Sequence, residues 1–226
     1  VIAASNRHDI DSSDAERWFG AESMKPVHAL NEYLLSLLAA EVLRPTTDSR
    51  LHLAMELREA TARLDAEGFQ RAAHGPVALV DAGFRDDSRW AAAIWGAPIS
   101  TPENELRGNF PHLSATRLAH MTLNLASNAA QINLERACLV FGMSPACAQL
   151  LSGLSLPTIE RLAEAYADWF RPRWERRPDT WRELLDLAER PSQSAIPSVG
   201  LRTMQLQLGD LALATPVCAA IRQIRR

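Results

Sequence analysis

The chain has 226 residues, 47% of them hydrophobic, with a formal net charge of −3 and a pI near 6.1. That length buries one good core or two small ones, and no apolar run reaches the roughly 18 residues that a membrane span needs. A slightly acidic chain also lacks the positive charge with which an autonomous DNA-binding domain neutralises phosphates, so any DNA contact is local or shared.

The first residues, VIAASNRHDIDSSDAERW, are acidic where a signal peptide is basic and apolar, so a cytoplasmic protein is expected. Residues 1–23 show no periodicity and read as a flexible leader; the chain starts with valine, and Met24 is equally eligible as the biological start. Residues 24–98 read as an N-terminal helical unit. Pro26 opens an amphipathic helix with Val27, Leu30, Leu34, Leu37 and Leu38 on one side, stopped by Arg44-Pro45. Asp48 or Ser49 can cap a second helix bearing Leu53, Leu57, Ala60 and Leu64, with Glu59 and Arg63 paired at i, i+4, until Gly68 ends it. Val77–Val80 fits a short strand or a helical turn, and four residues do not decide between them. Asp87 or Ser88 starts a helix with Trp90, Ile94 and Trp95 that ends at Gly96. Residues 99–113, rich in proline and polar side chains, read as a linker. No internal repeat is evident, although both parts begin with a long helix.

From Leu118 to Phe141 the spacing predicts one continuous helix. His120, Asn124, Ser127, Asn128, Gln131 and Glu135 form a narrow polar stripe, and Leu118, Leu125, Ile132 and Leu139 repeat every seven positions along one edge. Leu123, Ala130, Leu134, Ala137 and Phe141 run along another edge, so burial on two sides is implied. Gly142 supplies the stop, Ser144-Pro145 an N-cap and first-turn proline, Gly153 the next stop, and Leu156-Pro157 opens a helix to about Phe170. After Trp174, Thr180-Trp-Arg-Glu183 is a capping-box pattern opening a helix with Trp181, Leu184, Leu185 and Ala188. Pro191–Pro197 is a loop, Leu201, Met204, Leu208 and Leu211 fit a further helix face, and residues 214–226 form a basic C-terminal helix or tail.

The run GMSPACAQLLSGLSLPTIERLAE, Gly142–Glu164, resembles the flagellar transcriptional regulator FlhD family, in which a glycine ends a long helix, a leucine-rich segment with proline follows, and a Leu-Ala-Glu triplet comes shortly after. The similarity runs back through LNLASNAAQINLERACLVF and forward to Trp174, covering residues of about 114–213; residues before Ser114 lie outside it. The resemblance implies an all-α fold in which an orthogonal helical domain dimerises through its long helix, with Leu118, Met121, Leu125, Ile132 and Leu139 expected at the homodimer interface. It also implies a transcriptional activator subunit that acts with an FlhC-like partner protein on promoter DNA of flagellar or mobile-element transfer genes. An alternative is a helical dimerisation or interaction module without DNA contact.

Arg171, Arg173, Arg176 and Arg177 form the most basic run, interleaved with Trp169 and Trp174, and with Arg202 they are the candidate DNA-binding residues. The competing account of that run is a surface loop whose arginines pair with nearby carboxylates. Lys25 is the only lysine among 24 basic residues, a bias that suits bidentate phosphate contacts and that a GC-rich genome explains more simply. Hydrolase and phosphate-loop motifs are missing and the six histidines have no metal-ligand spacing, so neither enzymatic activity, nor a metal, nor a cofactor is expected. Cys138, Cys147 and Cys218 form no CxxC pair and read as small buried hydrophobes.

Overall fold

The computed structural model describes residues 21–44, 52–99, 109–190 and 195–214. Among them the protein is all-α apart from one two-residue bridge: eleven α-helices, a turn of 3-10 helix and two short strands. The expected cap at Asp48 or Ser49, most of the leader and of the linker, Cys218 and the basic tail lie outside the described residues.

Helix α1 (Ala21–Val42) begins before the expected end of the leader and carries Pro26 inside it, near the N-terminal end, where a proline forfeits at most one helical hydrogen bond. Met24, Val27, Leu30, Leu34, Leu35 and Leu38 are buried along one side. Asn31 is buried among them and fully used: its amide donates to Ala73 O and Val77 O, both at 3.0 Å, and its oxygen accepts from Leu79 N at 2.8 Å. The single helix expected to run to Gly68 is three, α2 (His52–Glu56), α3 (Arg58–Arg63) and α4 (Ala66–Ala73). Gly68 does not terminate anything; it lies in the first turn of α4, its N–H bound at 2.6 Å by the N-cap Asp65. Val80–Asp81 resolves to a strand, β1, and α5 (Asp87–Trp95) follows, capped by Asp86 and ended by Gly96 in the left-handed region.

The helix expected from Leu118 to Phe141 is broken. α6 (His112–Ile132) stops at Asn133, whose backbone is extended, and α7 (Leu134–Phe141) restarts there with the Asn133 side chain accepting from Arg136 N. Asparagine competes with the helical ladder through such a bond, which is why it serves as a cap. The heptad Leu118, Leu125, Ile132, Leu139 is therefore divided between two helices. Gly142, at φ 65°, ends α7; Ser144 caps α8 (Pro145–Ser152); α9 (Leu156–Ala165) ends earlier than expected and gives way to a 3-10 turn, Ala167–Trp169. Strand β2 (Arg171–Pro172), α10 (Pro178–Glu189) and α11 (Ala195–Ala214) complete the described chain.

The sequence reading finds no repeat, and the structure contains one. Positions recur 91 residues apart: α1 and α6 start at Ala21 and His112, β1 and β2 at Val80 and Arg171, α5 and α10 at Asp87 and Pro178. Gly83 and Trp174, the same distance apart, both have positive φ, 64° and 56°. Asp86 N donates to Gly83 O, and Arg177 N to Trp174 O. Trp90 Nε1 donates to Ala82 O at 3.2 Å, and Trp181 Nε1 to Arg173 O at 2.7 Å.

The antiparallel bridge pairs Val80 with Pro172 and Asp81 with Arg171, the pattern that a two-fold axis between equivalent residues generates. Each tryptophan-bearing helix crosses over. α5 packs on α8 and α9 of the second half, and α10 packs on α3 and α4 of the first. An arginine of the receiving half then binds carbonyls at the C-terminal end of the incoming helix: Arg161 those of Ala93 and Ile94, Arg71 that of Ala188 at 2.8 Å.

One hydrophobic cluster runs from Met24 to Val199. α1 lies along α6, so the long helix is covered on one flank by the first half and on the other by α8 and α9. The segments read as an N-terminal unit and a later domain thus share a core. α11 has no counterpart among the described residues of the first half; it lies on α10 and α4, where Gly75 leaves room for Thr203, whose Oγ1 would stand 2.9 Å from an added Cβ.

Candidate functional site

Around the β1–β2 bridge lies a cleft of about 510 Å³ whose wall carries five arginines, Arg85, Arg171, Arg173, Arg176 and Arg177, and three carboxylates, Asp81, Glu175 and Asp210. The two halves build it jointly from the segments that follow each strand. Four of the five candidate DNA-binding residues are brought together here, but not in one role.

Arg173 is buried, 5% exposed. Its guanidinium donates to Val80 O at 3.1 Å, to Phe141 O at 2.5 Å and to the Gln207 side-chain oxygen, while its backbone N–H donates to Leu79 O. It ties β1, the end of α7 and α11 together and cannot reach DNA, which corrects its assignment as a DNA-binding residue. Burial brings its pKa down to about 10, so it remains a cation at neutral pH. Arg85 donates to Gly142 O at 3.2 Å and to Asp210 O at 3.0 Å, a second guanidinium at the carbonyl end of α7.

Arg177 is exposed but paired with Asp210 at 3.2 Å, and Arg202 is paired with Glu183 at 2.7 Å on the outer side of α10. The guanidinium groups of Arg171 and Arg176 make no hydrogen bond or ion pair with any described residue. The tryptophans interleaved with this run are core anchors. Trp174 is 8% exposed and donates to Asp210 at 2.7 Å; Trp169 packs edge-on to Trp90 and lies under the Arg89 guanidinium at 3.8 Å. Neither offers a free ring to a base.

The residues expected at a homodimer interface separate as well. Leu118 is fully buried inside the chain, Met121, Leu125 and Leu139 are half-buried, and Ile132 is 75% exposed at the break before Asn133. α1 lies along the same helix, where Tyr33 lies over Arg117 and donates to Ser114 O.

Arg85, Gln207 and Asp210 were missed from sequence. A signal for Arg85 exists: Gly83-x-Arg85 followed five residues on by Trp90 matches Trp174-x-Arg176 followed five residues on by Trp181. Cys147 is buried, and burial together with the charges of Asp87 and its neighbours pushes its thiol up to about 12, so it is no nucleophile. No group of three metal-ligating side chains occurs among the described residues, and no helix among them is long and apolar enough to cross a membrane. No family model, curated protein or solved structure matches the chain.

Proposed function

We propose that this chain is a non-enzymatic, cytoplasmic transcription-regulator subunit of the FlhD kind, which binds promoter DNA in company with an FlhC-like partner protein. The observation that carries this reading is the 91-residue repeat. The resemblance over Gly142–Glu164 implies a unit that works as a pair joined through its long helix, and two structurally equivalent halves in one polypeptide, with α1 and α6 side by side, support that reading. The exposed guanidinium of Arg176 and the half-buried one of Arg171, both free of partners among the described residues, are the groups available to phosphate. Two such contacts are too few for binding alone at a net charge of −3, so DNA affinity rests on the partnered complex.

The test is an electrophoretic shift series on promoter DNA with the chain alone, an FlhC-like protein alone, and the co-expressed complex. The complex should bind in a salt-dependent manner and the Arg171→Ala/Arg176→Ala variant should bind less steeply with salt. Equal shifts by the isolated chain and the complex would contradict the proposal. A second reading, an interaction module without DNA contact, is favoured by the burial of Arg173 and the pairing of Arg177 and Arg202. It predicts a stable complex whose DNA affinity is unaffected by the double substitution.

A further inference from the structure

We propose that the cleft on the axis between the two halves is a binding site for a small phosphate-bearing molecule. Three independent features of the cleft lead to that ligand class, and none of them requires the promoter-binding reading.

The first is residual charge. Every carboxylate on the wall already has a partner: Asp81 accepts from Gly83 N at 3.0 Å, Asp210 from Trp174 Nε1 and Arg177, and Glu175 from Asn109 at 3.4 Å. Arg171 and Arg176 have none among the described residues, and five guanidinium groups against three carboxylates leave the wall a formal excess of two positive charges. Guanidinium forks match the planar and tetrahedral oxygens of phosphate better than any other side chain.

The second is a pair of orphan donors. Arg173 and Gln207, 5% and 0% exposed, both line the cleft, yet Arg173 Nε and Gln207 Nε2 have no acceptor. The amide cannot be turned to help, because its oxygen is the acceptor for Arg173 Nη1. Buried N–H groups are almost always satisfied, and two unsatisfied donors just behind the wall favour a ligand rich in acceptors. Phosphate oxygens, which accept and do not donate when ionised, are such acceptors.

The third is size and placement. About 510 Å³ lies within the range of small-molecule sites and admits a nucleotide-sized compound, whereas a duplex can touch only the rim. Equivalent positions of the repeat both line it, Arg85 with Arg176 and Gly83 with Trp174. A ligand bridging them clamps the halves together, so occupancy raises the stability of the whole fold.

A DNA backbone presents the same phosphate chemistry, and the experiment separates the two sources. Thermal melting of the full chain is followed with sodium pyrophosphate at millimolar concentration, with sodium chloride at matched ionic strength, and with a 20-base-pair duplex at matched phosphate. Pyrophosphate should raise the melting temperature by several degrees, with little effect from chloride or duplex. Arg171→Ala/Arg176→Ala should melt like the parent chain without ligand and lose at least tenfold in apparent pyrophosphate affinity by calorimetric titration. Absence of a pyrophosphate shift, an undiminished shift in the double variant, or equal protection by the duplex would each overturn the proposal.

Discussion

A guanidinium without a carboxylate at bonding distance, held by the carbonyls of Val80 and Phe141 and the amide of Gln207, is kept in place by dipoles from three separate elements. Removing Arg173 leaves those acceptors buried and unpaired. Arg173→Ala should therefore lower unfolding free energy by about 3 kcal/mol or more, against about 0.5 kcal/mol or less for Arg176→Ala, as measured by urea titration. Gly142 meets the same side chain from the other side. Its φ of 65° disfavours any Cβ, and an added one would stand 2.6 Å from Gln207 Nε2 and 2.7 Å from Arg173 Nη1. Both atoms end long side chains, but those chains are buried and bonded. Gly96 has a similar φ and nothing within 4 Å, so Gly96→Ala should cost only about 1 kcal/mol, and Gly142→Ala distinctly more. Equal losses in the two variants would show that the cluster yields. His28 lies against His74 with ring centroids 4.4 Å apart and the planes tilted by 38°, and burial, aided by the electrostatic effect of His74, lowers its pKa to about 4. The folded chain thus refuses a proton that the unfolded chain takes up near pH 6.5. The contribution is complete above that pH and is lost progressively as pH falls toward 4. His28→Gln should flatten the melting-temperature profile across that window; a profile parallel to the parent's would remove His28 as the cause.

Elements with strong local punctuation were legible in the sequence. Gly96, Gly142, Ser144-Pro145 and Gly153 all mark helix ends in the structure, because a cap is satisfied within its own four or five residues; the helix start read at Asp87 or Ser88 is capped one residue earlier, by Asp86. Asn133 was readable by the same logic and was overridden by the seven-residue apolar spacing on either side of it. That spacing does not require a straight helix; it requires only that both pieces bury an apolar side. The repeat was hidden for a different reason. The halves share few side chains at corresponding positions, Trp90 with Trp181 and Arg85 with Arg176 among them, and what they share is backbone geometry: a positive φ, a two-residue bridge and an indole bound to a carbonyl eight residues back. The cleft was legible only in part, since the burial of Arg173 depends on carbonyls 93 and 32 positions away in sequence. If the two indoles play equivalent roles, Trp90→Phe and Trp181→Phe should each lose the hydrogen bond to a buried carbonyl. The expected losses are about 1–3 kcal/mol and similar to each other. Guanidinium titrations of the two variants would expose any large disparity, which would limit the equivalence to backbone shape.

For the whole molecule, the crossing of α5 and α10 means that neither half encloses its own core. Trp90 of the first half sits against Phe84, Trp169 and Phe170, two of which belong to the second, and α10 fills the corresponding place over α3 and α4. Cutting the chain within residues 99–113 therefore divides one core instead of separating two. A fragment lacking residues 1–110 loses the cover that α1 gives α6, the strand that pairs with β2 and the helix that fills the groove over α8 and α9. Large apolar faces of that kind are not left open in water. The bridge register offers the fragment one specific remedy. Because Asp81 pairs with Arg171 and Val80 with Pro172, two copies of β2 can pair with each other, Arg171 against Pro172 in both directions, and exchange their α10 helices. The full chain, with both halves present, has those faces covered and should sediment at its own mass of 25.0 kDa. The fragment should run as a dimer or larger species at every concentration at which it is folded. Light scattering coupled to gel filtration distinguishes these states, and a cooperatively folded monomeric fragment would show that the second half completes its core without the first.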